Sequence, residues 1–163
     1  MFFSICFALS KKPMTNFKAI VHASAIKKQE ENVGYIKEAM ARISQSRDSE
    51  TKSSAGDKHE VGCAMMQLEQ EKLGIQLAQA NAILESLYKV NLSNKHVEVR
   101  FGSLIETNKG HFFLAAAVGK LTINDQMVFV ISMASPIGEA MLGKTLGESF
   151  SFNNNSFDII NIC

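Results

Sequence analysis

The chain has 163 residues, of which 46% are hydrophobic and 20% charged, and its formal net charge is +1. This composition argues against a disordered chain and is typical of one sizeable folded domain or two small ones. The small net charge excludes a global electrostatic attraction to nucleic acid, membranes or acidic ligands. Any function that depends on charge must therefore come from local clusters.

Cysteine and histidine usage argues against a disulfide framework and against a metal centre. The three cysteines, Cys6, Cys63 and Cys163, are widely separated and show no paired spacing. This pattern predicts free thiols in a reducing, cytoplasmic compartment. The four histidines show no metal-ligand spacing either.

The N-terminal segment, residues 1–13, contains an apolar run from Phe2 to Leu9. Positive charge follows this run rather than preceding it, unlike the charge of a signal peptide, and the run is too short to span a bilayer. A helix-like pattern starts within a few residues of Met14. We therefore expect translation to start at Met14, with residues 1–13 an extension absent from the native protein, and we expect no membrane association.

Two long helices are predicted next, the first from about Phe17 to Ser46 and the second from about Asp57 to Val90. In the first, apolar residues repeat at the three- and four-residue steps of a coiled-coil seam; they are Ala19, Ile26, Val33, Ile36, Met40 and Ile43. The second has a similar stripe, formed by Val61, Met65, Leu68, Ile75, Ala78, Ala82 and Ile83 and widened by Leu73, Leu77, Leu84 and Leu87. We expect both stripes to pack in a seam rather than to form a ligand groove.

The polar segment from Gln45 to Gly56 predicts a turn between these helices. Two helices joined by a short connection pack antiparallel, so the first half of the chain is predicted to be a helical hairpin. Arms of about 30 residues reach on the order of 45 Å. Asp57 and Glu60 would then lie at the tip, far from the base.

After about residue 96 the apolar period changes to that of strands. Residues 97–101 alternate apolar and polar side chains, as a half-buried strand does, and 111–118 and 127–133 are continuous apolar runs of strand length. We expect a small antiparallel sheet with one short helix, SPIGEAML, and hence an α+β chain. The predicted divisions are 1–13 (extension), 14–94 (hairpin) and 95–163 (sheet domain).

The most specific stretch is SPIGEAMLGKTLGE, residues 135–148. A capped short helix with Gly143 at its exit, followed by a turn at Gly147, explains it structurally. It also resembles the S-P-[LI]-G-x-A-[LI]-[LI]-G-x-x-x-G-[DE] signature of the C-terminal domain of Gre-type transcript cleavage factors, the GreA/GreB family. Residues 99–103 and 157–162 are similar to the opening and closing strands of that domain.

The resemblance extends to the tip of the hairpin. Gre factors carry G-D-x-x-E at the tip of an N-terminal antiparallel coiled coil, and this chain has Gly56-Asp57-Lys58-His59-Glu60 there. The resemblance covers nearly everything after Met14, more strongly from 97 to 163 than in the helices. It implies an FKBP-like fold for the C-terminal domain, without implying prolyl isomerase activity.

Two departures from the family stand out. The family usually continues after the glutamate with Asn and an alanine–tyrosine stretch, whereas Val61-Gly62-Cys63 follows Glu60 here. The segment FNNNS, residues 152–156, stands where the family often has a Pro-Gly turn.

The resemblance implies a mechanism in which the tip enters the secondary channel of RNA polymerase when the enzyme has backtracked. Asp57 and Glu60 would help to hold a second Mg²⁺ and an attacking water, and the polymerase would cut the extruded RNA. Mg²⁺ prefers carboxylate oxygens, and residues at i and i+3 share one side of a helix. Two exposed carboxylates would not hold the ion well without the partner's acids and the RNA phosphate. The resemblance thus implies an accessory factor, not an enzyme.

The remaining expectations concern partners. Ser135, Pro136 and Ile137 begin the short helix in the region that the family uses to dock on the polymerase, although they also make a plain helix start. The predicted partners are RNA polymerase and, indirectly, the nascent RNA 3′ end, and the protein is expected to be a monomer.

Three alternatives stay open. Asp57 and Glu60 could simply cap a helix, with Asp57 as N-cap and Glu60 at the third helical position. The protein could occupy the same channel as a regulator or inhibitor that does not stimulate cleavage. It could also be a self-associating structural coiled coil.

Overall fold

The computed structural model describes residues 14–50 and 57–163, and the side chains of 14–46 and 61–163. The predicted extension, residues 1–13, lies outside this range. The helices are α1 (Met14–Glu50), α2 (Asp57–Tyr88) and α3 (Pro136–Met141). The strands are β1 (Leu104–Thr107), β2 (Gly110–Leu114), β3 (Gly119–Ile123), β4 (Gln126–Ile131), β5 (Ser149–Phe152) and β6 (Asn155–Ile162).

Helices α1 and α2 form the predicted antiparallel hairpin. The side chain of His22 bonds to the carbonyl of Leu87, and that of Gln29 bonds to the carbonyl of Ala80, so residue numbers rise along one helix as they fall along the other. The helices have 37 and 32 residues, or roughly 55 and 48 Å at 1.5 Å per residue. Helix α1 continues to Glu50, so it includes the first six residues of the segment predicted to be a turn. No described helix has the length and apolar content needed to cross a membrane.

The predicted seam of the hairpin is partly wrong. In α1, Val33 is buried as expected, but Ala19 is exposed and the buried positions nearest the base include Lys18 and Val21. In α2 four members of the predicted stripe lie outside and are more than half exposed: Val61, Met65, Leu68 and Ile75. The residues predicted to widen the stripe, Leu73, Leu77, Leu84 and Leu87, do lie on the less exposed face, together with Met66 and Ala80.

The physical reason is that α2 has apolar residues at helical spacing on two faces. A helical period shows that residues share a face, but it does not show which of two apolar faces meets the neighbouring helix. Only packing against α1 and the sheet decides between them. As a result, one apolar face of α2 is left open to solvent.

The sheet has six strands in the order β3-β4-β2-β1-β6-β5. It is mixed, so the expectation of an antiparallel sheet is wrong for one pair: β2 and β4 run parallel, with Phe113 opposite Val130. After β2 the chain passes through residues 115–118 to the sheet edge as β3. It then reverses at Asn124 and Asp125, both with positive φ, and returns as β4 between β3 and β2. Continuous apolar runs suit a buried strand of either direction, so strand direction was not readable from the sequence.

Residues 97–101 do not form the predicted strand. Only Glu98 makes a bridge, to Thr145, and the chain then turns at Gly102, which has a φ of +82°. The first strand of the sheet is β1, a few residues later. The predicted burial of the apolar positions is met by Val99, which is buried, but not by Val97, which is exposed.

Both faces of the sheet are covered, which explains the continuous apolar runs. Leu104 and Phe113 belong to a buried cluster with Val21 of α1 and Leu87 of α2. Their neighbours in sequence, including Ile105 and Phe112, belong to a second cluster, which contains Met141 of α3. Successive strand residues point to opposite faces, so the helical arm is rooted on one face and α3 lies on the other.

Candidate functional site

The two acids singled out from the sequence lie at the start of α2. The helix begins at Asp57, and Glu60 falls within the same first turn. Leu87, which packs with the sheet, lies 30 residues further on, or roughly 45 Å along the helix. The acids therefore belong to the end of the arm away from the sheet, as expected of a tip.

The side chains of Asp57 and Glu60 lie outside the described residues, as do residues 51–56 of the connection. Because α2 begins at Asp57, Asp57 is the first residue of the helix. The capping alternative from the sequence would instead make it the N-cap, the residue just before the first helical one. Helix boundaries vary by one or two residues between assignments, so a capping role is compatible with this position. Negative charge in a first turn also interacts favourably with the helix dipole.

The arrangement can contribute two carboxylates from one side of a helix, since i and i+3 are neighbours on a helix surface. Among the described residues, no group of three or more His, Cys, Asp or Glu side chains comes together as a possible metal site. Two carboxylates supply only part of a Mg²⁺ coordination shell. A metal held at the tip would need further ligands from a partner.

The second predicted site is the start of α3. Ser135 is its N-cap, and the Ser135 hydroxyl accepts a hydrogen bond of 3.1 Å from the backbone N–H of Gly138. The same hydroxyl donates a 2.6 Å hydrogen bond to the Ser132 carbonyl. Ile137 is half-buried against the second core cluster, and Pro136 is exposed. Of the three predicted docking residues, only Pro136 thus presents its side chain freely to a partner.

Gly138 is required by close backbone approach. A Cβ placed on Gly138 would lie 2.3 Å from the Ser132 carbonyl oxygen and 3.1 Å from that of Met133. Real Cβ atoms do not approach backbone oxygens so closely, and these oxygens belong to the chain leading into the helix. The S-P-I-G portion of the motif is therefore explained by local structure: a cap, a proline in the first turn and a glycine where no Cβ fits.

The end of the motif closes onto the rest of the domain. Gly143, at a φ of +75°, donates a 2.8 Å hydrogen bond to the Val99 carbonyl, and Val99 donates one of 2.7 Å to the Lys144 carbonyl. Glu148 accepts hydrogen bonds from the backbone N–H and the hydroxyl of Thr145, at 2.6 and 2.9 Å. The hydrogen bond from the Thr145 backbone N–H, and to a smaller extent that from its hydroxyl, hold the pKa of Glu148 below its usual value.

Exposed apolar side chains surround this motif. Met133 and Leu142 flank α3 and are both partly exposed. Val97 is 82% exposed and Leu146 is 63% exposed, and the bridge between Glu98 and Thr145 makes these two cross-strand neighbours. We call Val97, Met133, Leu142 and Leu146, together with Pro136, the α3 patch. An apolar surface of this kind is typical of a protein-binding region.

Sequence reasoning missed a buried polar junction at the base of the arm. Lys18 of α1 is fully buried, and its Nζ donates a 3.3 Å hydrogen bond to the carbonyl of Asn94, in the segment after α2. Burial lowers the pKa of Lys18, an effect partly opposed by the nearby Cys163. One feature of the sequence could have indicated this burial. Lys18, Val21 and Ala25 follow one another at helical spacing and therefore share one face of α1.

His96 completes this junction. Its Nδ1 lies 2.6 Å from the hydroxyl of Ser103, which also accepts a hydrogen bond from the backbone N–H of Arg100. Burial lowers the pKa of His96, and the charges of Lys18 and Arg100 lower it further. The junction ties α1 to the segment that enters the sheet. Among the described residues, Cys63 and Cys163 form no disulfide, and Cys6 lies outside that range.

No family model matches the chain, and no curated protein matches it. Among solved structures, that of the transcription factor Gfh1 is similar to it at 17% sequence identity. The match covers 85% of this chain and 92% of that one, with a TM-score of 0.35. A TM-score of this size does not by itself establish a shared fold or a shared function.

Proposed function

We propose that the protein is a transcription elongation factor that binds RNA polymerase and stimulates cleavage of backtracked RNA. The observation that carries this proposal is the position of Asp57 and Glu60 in the first turn of α2, roughly 45 Å from the residues that root the arm on the sheet. An arm of two helices is slender enough to reach into a channel of a larger partner. The resemblance of residues 56–60 and 135–148 to Gre factors supports RNA polymerase as that partner.

The proposed role of the tip is to complete a metal site of the polymerase. Asp57 and Glu60 would supply carboxylate oxygens to a second Mg²⁺ and orient the attacking water, while the partner's acids and the RNA phosphate supply the other ligands. The polymerase would carry out the cleavage. In this proposal the isolated protein has no catalytic activity and no stable metal site.

The proposed docking site is the α3 patch. Ser135 and Ile137 have structural roles within the domain, one as the helix cap and the other in packing. Docking would then use the exposed apolar side chains of the patch, among them Pro136, Leu142 and Leu146. Anchoring at this patch would leave the arm free to enter the channel.

The test is RNA cleavage by the cognate polymerase in stalled, backtracked complexes. Asp57→Asn with Glu60→Gln removes both charges from the tip, and we expect it to abolish stimulated cleavage while binding to polymerase stays close to that of the wild type. Glu31→Gln with Glu38→Gln is the matched control, because it removes two charges from exposed positions on the shaft of α1. Unchanged cleavage with the tip variant would rule out the proposed acid roles.

A second candidate is a regulator that occupies the same channel without stimulating cleavage. It is favoured by the surface just beyond the acids, where Val61 is 60% exposed in place of the family's usual polar and aromatic sequence. The same assay separates the two functions. A regulator would yield no short RNA product and would compete with a true cleavage factor.

A further inference from the structure

The outward side of α2 carries an apolar stripe that no described part of the chain covers. Its members are Val61, Met65, Leu68 and Ile75, which are 60, 68, 54 and 62% exposed. We call these four residues the outer stripe. Their spacings of four, three and seven residues place them along one side of the helix, and Lys72 occupies the helical step between Leu68 and Ile75.

The outer stripe is not the face that holds the hairpin together. The contacts with α1 are made from the other side of α2, where the Ala80 carbonyl accepts the Gln29 side chain and Leu87 is buried. Single exposed apolar residues are common on protein surfaces, but a row of four at helical spacing is typical of a helix-binding surface. The stripe also has the four-and-three spacing of a coiled-coil seam.

We propose that the outer stripe binds the outer stripe of a second copy of this chain, with the two α2 helices antiparallel. A two-fold axis at the level of residue 70 would place Met65 opposite Ile75 of the other copy. It would also place Leu68 opposite Lys72, and each contact would occur twice, as a two-fold interface requires. Met65, Leu68, Lys72 and Ile75 thus form a self-complementary row, and Val61 would lie opposite the exposed Gln79.

The position of Lys72 favours this orientation, while the acid pair that the same axis forms, Glu69 level with Glu71 of the second copy, weakens the association. Glu69 and Glu71 flank Lys72, and all three side chains are exposed. In the antiparallel pair the stem of Lys72 packs on Leu68 of the second copy, and its ammonium group reaches Glu69 of that copy. In a parallel pair the two Lys72 side chains would instead stack on each other, which is unfavourable for like charges at a seam.

The size of the surface sets the strength of the association. A standard interface buries about 800 Å² on each partner, and one stripe of four side chains supplies less, so the dimer is weak and dissociates on dilution. At high dilution the protein is then a monomer, as expected from the sequence. Because α2 also carries the tip, pairing covers the arm beside Asp57 and Glu60. If the proposed function holds, pairing stores the factor in a form whose arm is not free to enter the polymerase.

The experiment is analytical ultracentrifugation of the full chain over a range of about 1 to 500 µM. We expect a reversible monomer–dimer equilibrium, with a dissociation constant raised at least about tenfold by Leu68→Glu. Ile160→Glu is the control, since Ile160 is 49% exposed, against 54% for Leu68, and lies on β6, outside the outer stripe and the α3 patch; it should leave the equilibrium unchanged. A single monomeric species at every concentration, or a dimer that Leu68→Glu does not weaken, overturns the proposal.

A charge exchange tests the orientation. Lys72→Glu places an acid opposite Glu69 of the second copy and should weaken the dimer several-fold, and adding Glu69→Lys should restore it. Failure of the double variant to restore association overturns the antiparallel arrangement. The variant Asp57→Asn with Glu60→Gln should dimerise like the wild type, so the outcome here does not depend on whether the acids act in cleavage.

Discussion

The side chain of Gln29 donates a buried hydrogen bond of 2.8 Å from its Nε2 to the backbone carbonyl oxygen of Ala80. Gln29 is 4% exposed, and the bond crosses directly from α1 to α2. A buried amide is costly without a partner, so this bond favours one register of the two helices over its neighbours. The register in turn sets where the first turn of α2 lies relative to the end of α1.

We expect Gln29→Ala to lower the free energy of unfolding by about 1–3 kcal/mol, through the lost hydrogen bond and the lost packing. The measurement is urea denaturation followed by circular dichroism at 222 nm, the usual helix band. Gln76→Ala on α2 is the control, since Gln76 is exposed and its truncation should change stability little. Equal effects of the two substitutions would show that the bond does not stabilise the hairpin.

The second prediction concerns Gly138. We expect Gly138→Ala to destabilise the protein by about 2–3 kcal/mol, because the new Cβ would meet the Ser132 carbonyl oxygen at 2.3 Å and the backbone must shift. The matched control is Gly74→Ala within α2, where no atom lies within 4 Å of an added Cβ. There alanine should stabilise the helix by roughly 0.5–1 kcal/mol. The two substitutions should therefore change the free energy of unfolding in opposite directions, as measured by denaturant unfolding.

The third prediction concerns the buried Lys18. Burial lowers its pKa below the usual value of 10.5, which means that the charged form is unfavourable in the folded state. Lys18→Met keeps a stem of similar length and removes the charge. We expect it to raise the free energy of unfolding at pH 7 by about 1 kcal/mol, after the loss of the bond to Asn94 is counted.

The pH dependence of this effect follows from proton binding. Between the folded pKa of Lys18 and 10.5, the unfolded chain binds more protons than the folded one, so wild-type stability from this group rises with pH. The advantage of Lys18→Met should therefore be largest near pH 7 and shrink as the pH approaches 10.5. Thermal unfolding across this range checks it, with the exposed Lys27→Met as control. An advantage that grows with pH would contradict the prediction.

The local features of this chain were readable from sequence because they depend on neighbouring residues. The start of α2 at Asp57 and the helix of residues 136–141, with Ser135 as cap and Gly143 at its exit, follow from capping, proline and glycine chemistry. The four asparagine or aspartate residues with positive φ in this domain, including Asn153 and Asn154, lie in the tight turns β3–β4 and β5–β6, which these residue types tolerate.

Local patterns were enough to predict two long helices followed by a small sheet with one short helix, and to predict that Asp57 and Glu60 lie at the turn between the helices. The parallel pairing of β4 with β2 follows from the three-dimensional fold, because a buried apolar strand has the same sequence pattern in either direction. The fold also decided which apolar face of α2 is packed, leaving Leu68 and its neighbours exposed, and it buried Lys18 at the base of the arm. Each of these depends on contacts between residues far apart in the chain, which periodicity does not record.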